Sequence, residues 1–230
     1  MQKALLVITK RPEPGQTKTR LSPPLTPHQA ARLYECFLRD TLALVTAVPN
    51  VTRFILYAPR NEKAYFAQLE PHFELLAQQG SNLSERLDNA LTHCLRDGFR
   101  QVVIMNSDGP TLPPAYLAQA FQLLDQTEVV FGPSEDGGYY LVGLTRPQPA
   151  LFRKVQMSTP TVLEDTLALA RQHGLEVSLL PAWYDVDTID DLRRLWNGLQ
   201  SQPPEVAHFT RVYLNELVRQ GFLAANISSY

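Results

Sequence analysis

The chain reads as an α/β protein built on a mainly parallel sheet, and three features of its 230 residues support that reading. Short apolar runs alternate with amphipathic segments through most of the length, the pattern of strands joined by helical crossovers. Hydrophobic residues make up 44% of the chain, enough to bury a sizeable core. The run 102–106 is apolar and β-branched without polar alternation, as expected of a strand covered on both faces.

The elements follow in order. Residues 4–9 predict the first strand, and 10–25, with four prolines and Gly15, a long irregular loop. Thr26 opens a helix, with Pro27 in its first turn and Gln29 placed to reach back; Pro49 stops it near residue 48. A strand over 53–58, a short helix over 61–70 closed by Pro71, and a strand over 73–77 come next. Asn82 and Glu85 form a second capping pair, after which Leu83, Leu87, Ala90, Leu91, Cys94 and Leu95 recur at helical spacing until Gly98. The strand 102–106 then delivers Ser107 and Asp108 just past its carboxyl end, where open α/β sheets place ligands. A helix over 113–124, strands over 129–132 and 139–144, a helix over 160–173 capped by Gly174, and a strand over 175–180 follow. Thr188, supported by Asp191, caps the next helix. This body is expected to be one domain over 1–202. After Gln202-Pro203-Pro204, residues 203–230 are expected to add a C-terminal helix, about 206–223, whose Phe209, Val212, Tyr213, Leu217 and Phe222 cover the body or a neighbouring subunit.

Charge and motifs narrow the function. With 21 basic and 23 acidic residues the formal charge is −2, so no global field attracts nucleic acid or an anionic membrane, and any anion site is local. Cys36 and Cys94 lie far apart on apolar helical stripes and read as buried thiols. The run 4–9 is too short for a signal-peptide core or a membrane span, which points to the cytoplasm. The histidines at 28, 72, 93, 173 and 208 are scattered, and neither H-E-x-x-H nor G-x-S-x-G occurs, so zinc and serine hydrolysis are unsupported. A G-x-x-x-x-G-K-[ST] loop and a G-x-G-x-x-G after the first strand are also missing.

Four segments carry candidate chemistry. The loop 10–20 holds four cations against one carboxylate; Gly15 lets backbone amides approach an anion, Lys18 offers a compact charge and Arg20 a bidentate one. Asp108 places a carboxylate at a strand end, suited to a hard cation such as Mg²⁺, or equally to starting the Gly109-Pro110 turn. Asp185 and Asp187 share a side if extended and precede a helix start, so each is a metal ligand or a capping group. Glu135-Asp136-Gly137-Gly138-Tyr139-Tyr140 joins two strands. Asp136 is placed to act as a base, the two glycines permit close approach of substrate, and Tyr139 offers a stacking ring; a plain hairpin is the alternative. Met157-Ser158-Thr159-Pro160 reads first as a helix cap and second as a ligand-facing loop.

These segments together resemble a bacterial family of GT-A-like transferases of largely unassigned activity, often described as glycosyltransferases and linked to radical-SAM and arsenosugar pathways. The matching pieces are Pro14-Gly15-x-x-Lys18-Thr19-Arg20-Leu21, Ser107-Asp108-x-Pro110, Gly132-Pro133-x-x-Asp136-Gly137-Gly138-Tyr139-Tyr140-Leu141, Ser158-Thr159, and Asp185-Val186-Asp187-Thr188-x-x-Asp191-Leu192. More distantly the arrangement is similar to molybdenum-cofactor and phospholactate guanylyltransferases. The resemblance implies the nucleotide-diphospho-sugar transferase fold. It also implies Asp108 as the metal-binding Asp with Asp187 as second ligand, Mg²⁺ or Mn²⁺ as cofactor, and the first loop as phosphate site. At 80–86 the chain departs from the family's Gly-x-Asp-Leu-Gly-Glu-Arg: Asn82 and Ser84 replace Asp and Gly, and Arg86 remains as a nucleotide contact. The expected activity is metal-dependent transfer from a nucleotide-sugar to a small-molecule acceptor. The alternatives are nucleotidyl transfer from a nucleoside triphosphate and non-catalytic nucleotide binding.

Overall fold

The computed structural model describes residues 2–221, so Phe222 lies outside the described residues. The chain divides into two compact units: Met1–Arg11, Leu44–Asn106 and Leu112–Tyr184 form the first, and Pro12–Ala43, Ser107–Thr111 and Asp185–Tyr230 the second.

The first unit holds a seven-stranded sheet of β1 (Lys3–Lys10), β2 (Thr52–Ala58), β3 (Glu74–Ala77), β4 (Gln101–Met105), β5 (Val129–Pro133), β6 (Tyr139–Leu144) and β7 (Val177–Leu179), in the order β3-β2-β1-β4-β6-β5-β7. Neighbours run parallel except β6, which is antiparallel to both β4 and β5. The cause is local: only residues 134–138 join β5 to β6, too few for a crossover. The mostly parallel sheet flanked by helices is the expected fold class. Every residue of β4 is buried, as its unbroken apolar run predicts.

Helices α2 (Lys63–Leu69), α3 (Leu83–Arg96), α4 (Pro114–Leu123), α5 (Ala150–Arg153) and α6 (Val162–Gln172) also belong to this unit. On one face of the sheet Ala4, Leu6, Val102 and Ile104 meet Leu87, Leu91 and Cys94 of α3, Leu151 and Phe152 of α5, and Ala170 of α6. Each fully buried Leu or Phe contributes roughly 1.5–3 kcal/mol. On the other face, Lys3 sits over the Phe121 ring of α4, and Gly143 leaves room for Leu124.

Three local expectations change. The sequence reading omits α5, which is one turn long. Helix α6 starts at Val162 rather than at 160: Ser158 takes a left-handed φ of 62°, and the Thr159 hydroxyl donates to the Gln156 carbonyl, so neither caps the helix. In α3 the Asn82 side chain accepts from the Glu85 amide at 2.9 Å as expected, but the Glu85 carboxylate reaches the amide of Ser81 at 2.8 Å, one residue earlier than a capping box predicts.

In the second unit, α7 (Ile189–Gln200) starts with the predicted capping box of Thr188 and Asp191. The segment expected as an appended helix forms α8 (His208–Arg219). Its N-cap residue, Ala207, has φ 48° and offers no side-chain cap. Asp40, on α1 (Pro27–Thr46), supplies one: its two carboxylate oxygens accept from the amides of Phe209 at 3.0 Å and Thr210 at 2.8 Å. Burial raises the Asp40 carboxyl above its ordinary range, partly offset by the bonds from Thr210 and Phe209. At the other end of this join, the Arg211 guanidinium donates to the carbonyls of Leu199, Gln202 and Pro203 and closes the C-terminus of α7. Asp40→Ala strands two helix N–H groups and is expected to cost about 2 kcal/mol. Urea unfolding measures that cost, and amide exchange should localise early opening to α8; an unchanged midpoint would show that packing alone holds this helix.

Among the described residues no helix is long and apolar enough to cross a membrane.

Candidate active site

In the second unit, residues from three separated segments converge on one ammonium group. The loop after β1 turns at Gly15, φ 73°, where the amides of Gln16 and Thr17 and the buried Thr17 hydroxyl all turn back on the Glu13 carbonyl. Lys18 follows with a left-handed φ of 48°, uncommon for a residue with a β-carbon and the kind of local strain that accumulates at functional sites. That backbone turn sends its side chain inward, where it is only 4% exposed. The ammonium pairs with Asp108 and, at 2.8 Å, with Asp187. It lies 5.9 and 5.7 Å from the ring centroids of Tyr34 and Phe37, which wall it on the α1 side. Arg20, largely exposed, takes the other Asp187 oxygen at 2.6 Å.

The two acidic segments are tied together through the backbone, since the Val186 amide donates to the Asp108 carbonyl at 3.0 Å. The Asp187 amide in turn donates to the Asp191 carboxylate at 3.1 Å, so the α7 capping box also fixes the residue that carries the acid. Ser107 is buried and shares a 2.8 Å hydrogen bond with the Tyr34 hydroxyl. Asp187, rather than Asp185, is the acid brought onto Lys18.

The electrostatics follow from this geometry. Burial pulls the Lys18 ammonium down, but the Asp108 and Asp187 carboxylates outweigh it and hold the group above the ordinary lysine range. Burial likewise pushes the Asp187 carboxyl up, and Lys18 and Arg20 more than reverse it, leaving Asp187 below the usual carboxylate range. Lys18 and Asp187 are therefore both charged at neutral pH. The Asp108 and Asp187 side chains remain 34% and 31% exposed, so solvent reaches both acids although it does not reach the lysine between them.

This donor set fits a divalent cation. Two carboxylates plus substrate phosphates suffice for Mg²⁺, and a cation, the ammonium of Lys18, already bridges them. Among the described residues no group of three or more His, Cys, Asp and Glu side chains is placed to hold a metal.

The other predicted residues belong to the first unit. Arg86 is turned onto its own loop, donating to the Gly80 carbonyl at 3.1 Å and the Gln78 side chain at 3.4 Å. Asp136 accepts from the Gly138 amide at 2.9 Å, the local bond of a turn. Gly137, φ 90°, lies close to the protein's own backbone: a β-carbon there would lie 1.7 Å from the Pro160 carbonyl oxygen. Tyr139, expected as a stacking ring, is half-buried. Its ring packs against Phe131 at 5.0 Å, its hydroxyl donates to the Met157 sulfur, and burial raises its pKa.

Sequence reasoning missed Tyr34 and Phe37 as walls of the lysine, because on α1 they read as ordinary core. It also missed Arg153, because α5 is too short for a periodic signal; Pro149, ahead of the apolar Ala150-Leu151-Phe152, was the available sign.

Comparison with known proteins agrees with this architecture. A protein from Desulfovibrio desulfuricans G20, described as a candidate nucleotide-diphospho-sugar transferase, is 32% identical, with 96% of this chain and 99% of that one aligned at a TM-score of 0.89. The 2-phospho-L-lactate guanylyltransferase of Methanothermobacter thermautotrophicus is 29% identical over 180 residues, 76% of each chain. A cytidylyltransferase from Leptospira borgpetersenii shares the fold at a TM-score of 0.55 and 14% identity, covering 100% of this chain and 99% of its own. A family model described as "uncharacterized protein conserved in bacteria" (DUF2064) matches residues 41–159, and the chain belongs to that family.

Proposed function

We propose that this chain is a nucleotide-using transferase that moves a glycosyl group from a nucleotide-sugar to a small-molecule acceptor with the help of Mg²⁺ or Mn²⁺. The observation that carries the reading is the buried Lys18 ammonium between Asp108 and Asp187, with Arg20 beside it. This cluster suits a diphosphate and a divalent cation as a pair: phosphate oxygens draw Lys18 and Arg20, and the two carboxylates would hold the metal. The metal would neutralise charge on the leaving diphosphate. Lys18 and Arg20 hold and orient that group, and Gly15 keeps the loop backbone open to it. Arg86 contributes to nucleotide binding. Asp136 takes the proton of the acceptor hydroxyl, and Gly137 and Gly138 shape the acceptor loop, roles that rest on the sequence match.

Nucleotidyl transfer is the second reading, favoured by the guanylyltransferase relative and by two cations in the first loop. In that reaction the acceptor attacks the α-phosphorus and pyrophosphate leaves. Incubation with a panel of nucleoside triphosphates and nucleotide-sugars plus Mg²⁺ separates the two: nucleoside diphosphate release supports glycosyl transfer, and pyrophosphate release replaces it with nucleotidyl transfer. Asp108→Ala is expected to lower metal-dependent nucleotide affinity by about tenfold or more, equivalent to at least ~1.4 kcal/mol, without loss of fold. Calorimetry showing the same Mg²⁺-dependent affinity in that variant would remove Asp108 from the metal site.

A further inference from the structure

The first unit contains a cavity of about 480 Å³, a size suited to a small organic molecule, between the start of α3 and the segment after α5. Its lining is mixed. Leu83 is 43% exposed, and Val155 and Met157 add further apolar surface. Asn82, Ser84, Glu85, Arg153 and Ser158 supply polar groups.

The charges in this lining are unequal in availability. Arg153 donates through Nε to Asp88 and through Nη2 to Asn89 at 2.9 Å, so its charge is matched by a carboxylate from α3 that is itself buried. Glu85 accepts through Oε2 from the Ser81 amide at 2.8 Å and hydroxyl at 2.9 Å, with the Asn82 side chain and the Arg153 charge nearby. Those bonds from Ser81 keep its carboxyl below the usual range, so it is ionised at neutral pH. Ser84 donates to the Phe152 carbonyl at 2.6 Å and fixes the wall.

We infer that this cavity binds an uncharged, hydroxyl-rich molecule of the sugar or polyol class, with Glu85 accepting from its hydroxyls and Leu83 and Met157 covering its C–H face. An ionised carboxylate in the wall calls for hydroxyl donors, and a donor-rich ligand with one apolar face satisfies both halves of the lining. One lining residue, Met157, also meets the residue after the diglycine turn, through the Tyr139 hydroxyl. Naming the ligand as the acceptor of group transfer rests on the transferase reading; its binding does not.

The test is saturation-transfer NMR and calorimetry on the full chain with glucose, galactose, mannose and glycerol, against glucose 6-phosphate and 3-phosphoglycerate. At least one neutral compound is expected to bind saturably, at least tenfold tighter than either phosphorylated one. Glu85→Gln should weaken the neutral ligand about tenfold and bring the phosphorylated ones closer to it, and Leu83→Asn should weaken the neutral ligand alone. Saturable binding by no compound, tighter binding of a phosphorylated one, or a Glu85→Gln variant with unchanged affinities would each overturn the inference. Titrating the same sample with nucleotides and Mg²⁺ keeps the two readings apart: sugar binding without nucleotide binding leaves the cavity and removes the transferase, and the reverse removes the cavity alone.

Discussion

Lys18→Met is expected to lower nucleotide-dependent turnover by about 10²–10³-fold, the scale seen when one preorganised charge-stabilising donor is removed. Methionine keeps the unbranched apolar stem and lacks the ammonium that faces Tyr34 and Phe37, so the change chiefly removes the charge. The pair of Asp187 with Arg20 remains, while both carboxylates, Asp108 and Asp187, lose the ammonium that bridged them. Breaking a buried ion pair costs roughly 3–5 kcal/mol, and the partial exposure of both acids brings the expected loss of stability to about 2–3 kcal/mol. The pH dependence identifies the cause. The Asp187 carboxyl is depressed in the folded state, so its contribution is present above its unfolded value and is lost as pH falls through the lower folded one. The Lys18 ammonium is raised, so its contribution is present below the unfolded lysine value and is lost only as pH rises through the higher folded one. The stability gap between the parent and Lys18→Met should therefore be flat across the neutral range and shrink in acid. A gap that persists fully after the carboxylates are protonated would assign the loss to packing. Mg²⁺ or Mn²⁺ alone should raise the melting temperature of Lys18→Met more than that of the parent, because the variant has lost its internal cation.

The residues of this cluster were legible one at a time, and their convergence was not. Asp108 could be placed because an unbroken apolar strand precedes it, and Asp187 because Thr188 and Asp191 announce a helix start. Lys18 lies 169 residues from Asp187, and no local periodicity encodes a contact across that separation. The sheet was legible in part for the same reason. Apolar runs mark where strands lie, but a buried strand reads alike in either direction, so the antiparallel setting of β6 came from the brevity of the join at 134–138. Glu85 shows a subtler limit. Its role at the start of α3 was clear from spacing, but the side chain turns to Ser81 at the edge of the cavity.

Gly137→Ala is expected to destabilise the chain by about 4 kcal/mol or more, as large losses do when a positive φ and a backbone clash coincide. A β-carbon at this position would stand 1.7 Å from the Pro160 carbonyl oxygen and 2.6 Å from its carbon, atoms that cannot rotate away as a side chain would. The residue also sits at φ 90°, outside the range that alanine adopts without strain. The turn cannot retreat without consequence, because the Gly137 carbonyl accepts from the Leu163 amide at 3.0 Å and the Gly137 amide donates to Ser134. Displacing it would loosen the first turn of α6 together with the segment carrying Met157 and Ser158, and with them one wall of the cavity beside α3. The neighbouring glycine provides the control. At Gly138 the nearest atom to an added β-carbon is a side-chain oxygen of Asp136 at 3.1 Å, so Gly138→Ala should cost no more than about 1–2 kcal/mol, the scale of mild overpacking. Urea midpoints of the two variants decide the matter: equal losses would mean that the Pro160 carbonyl yields. A Gly137 loss several-fold the larger would show that the first glycine of the pair is required by the protein's own backbone, whatever substrate the loop meets.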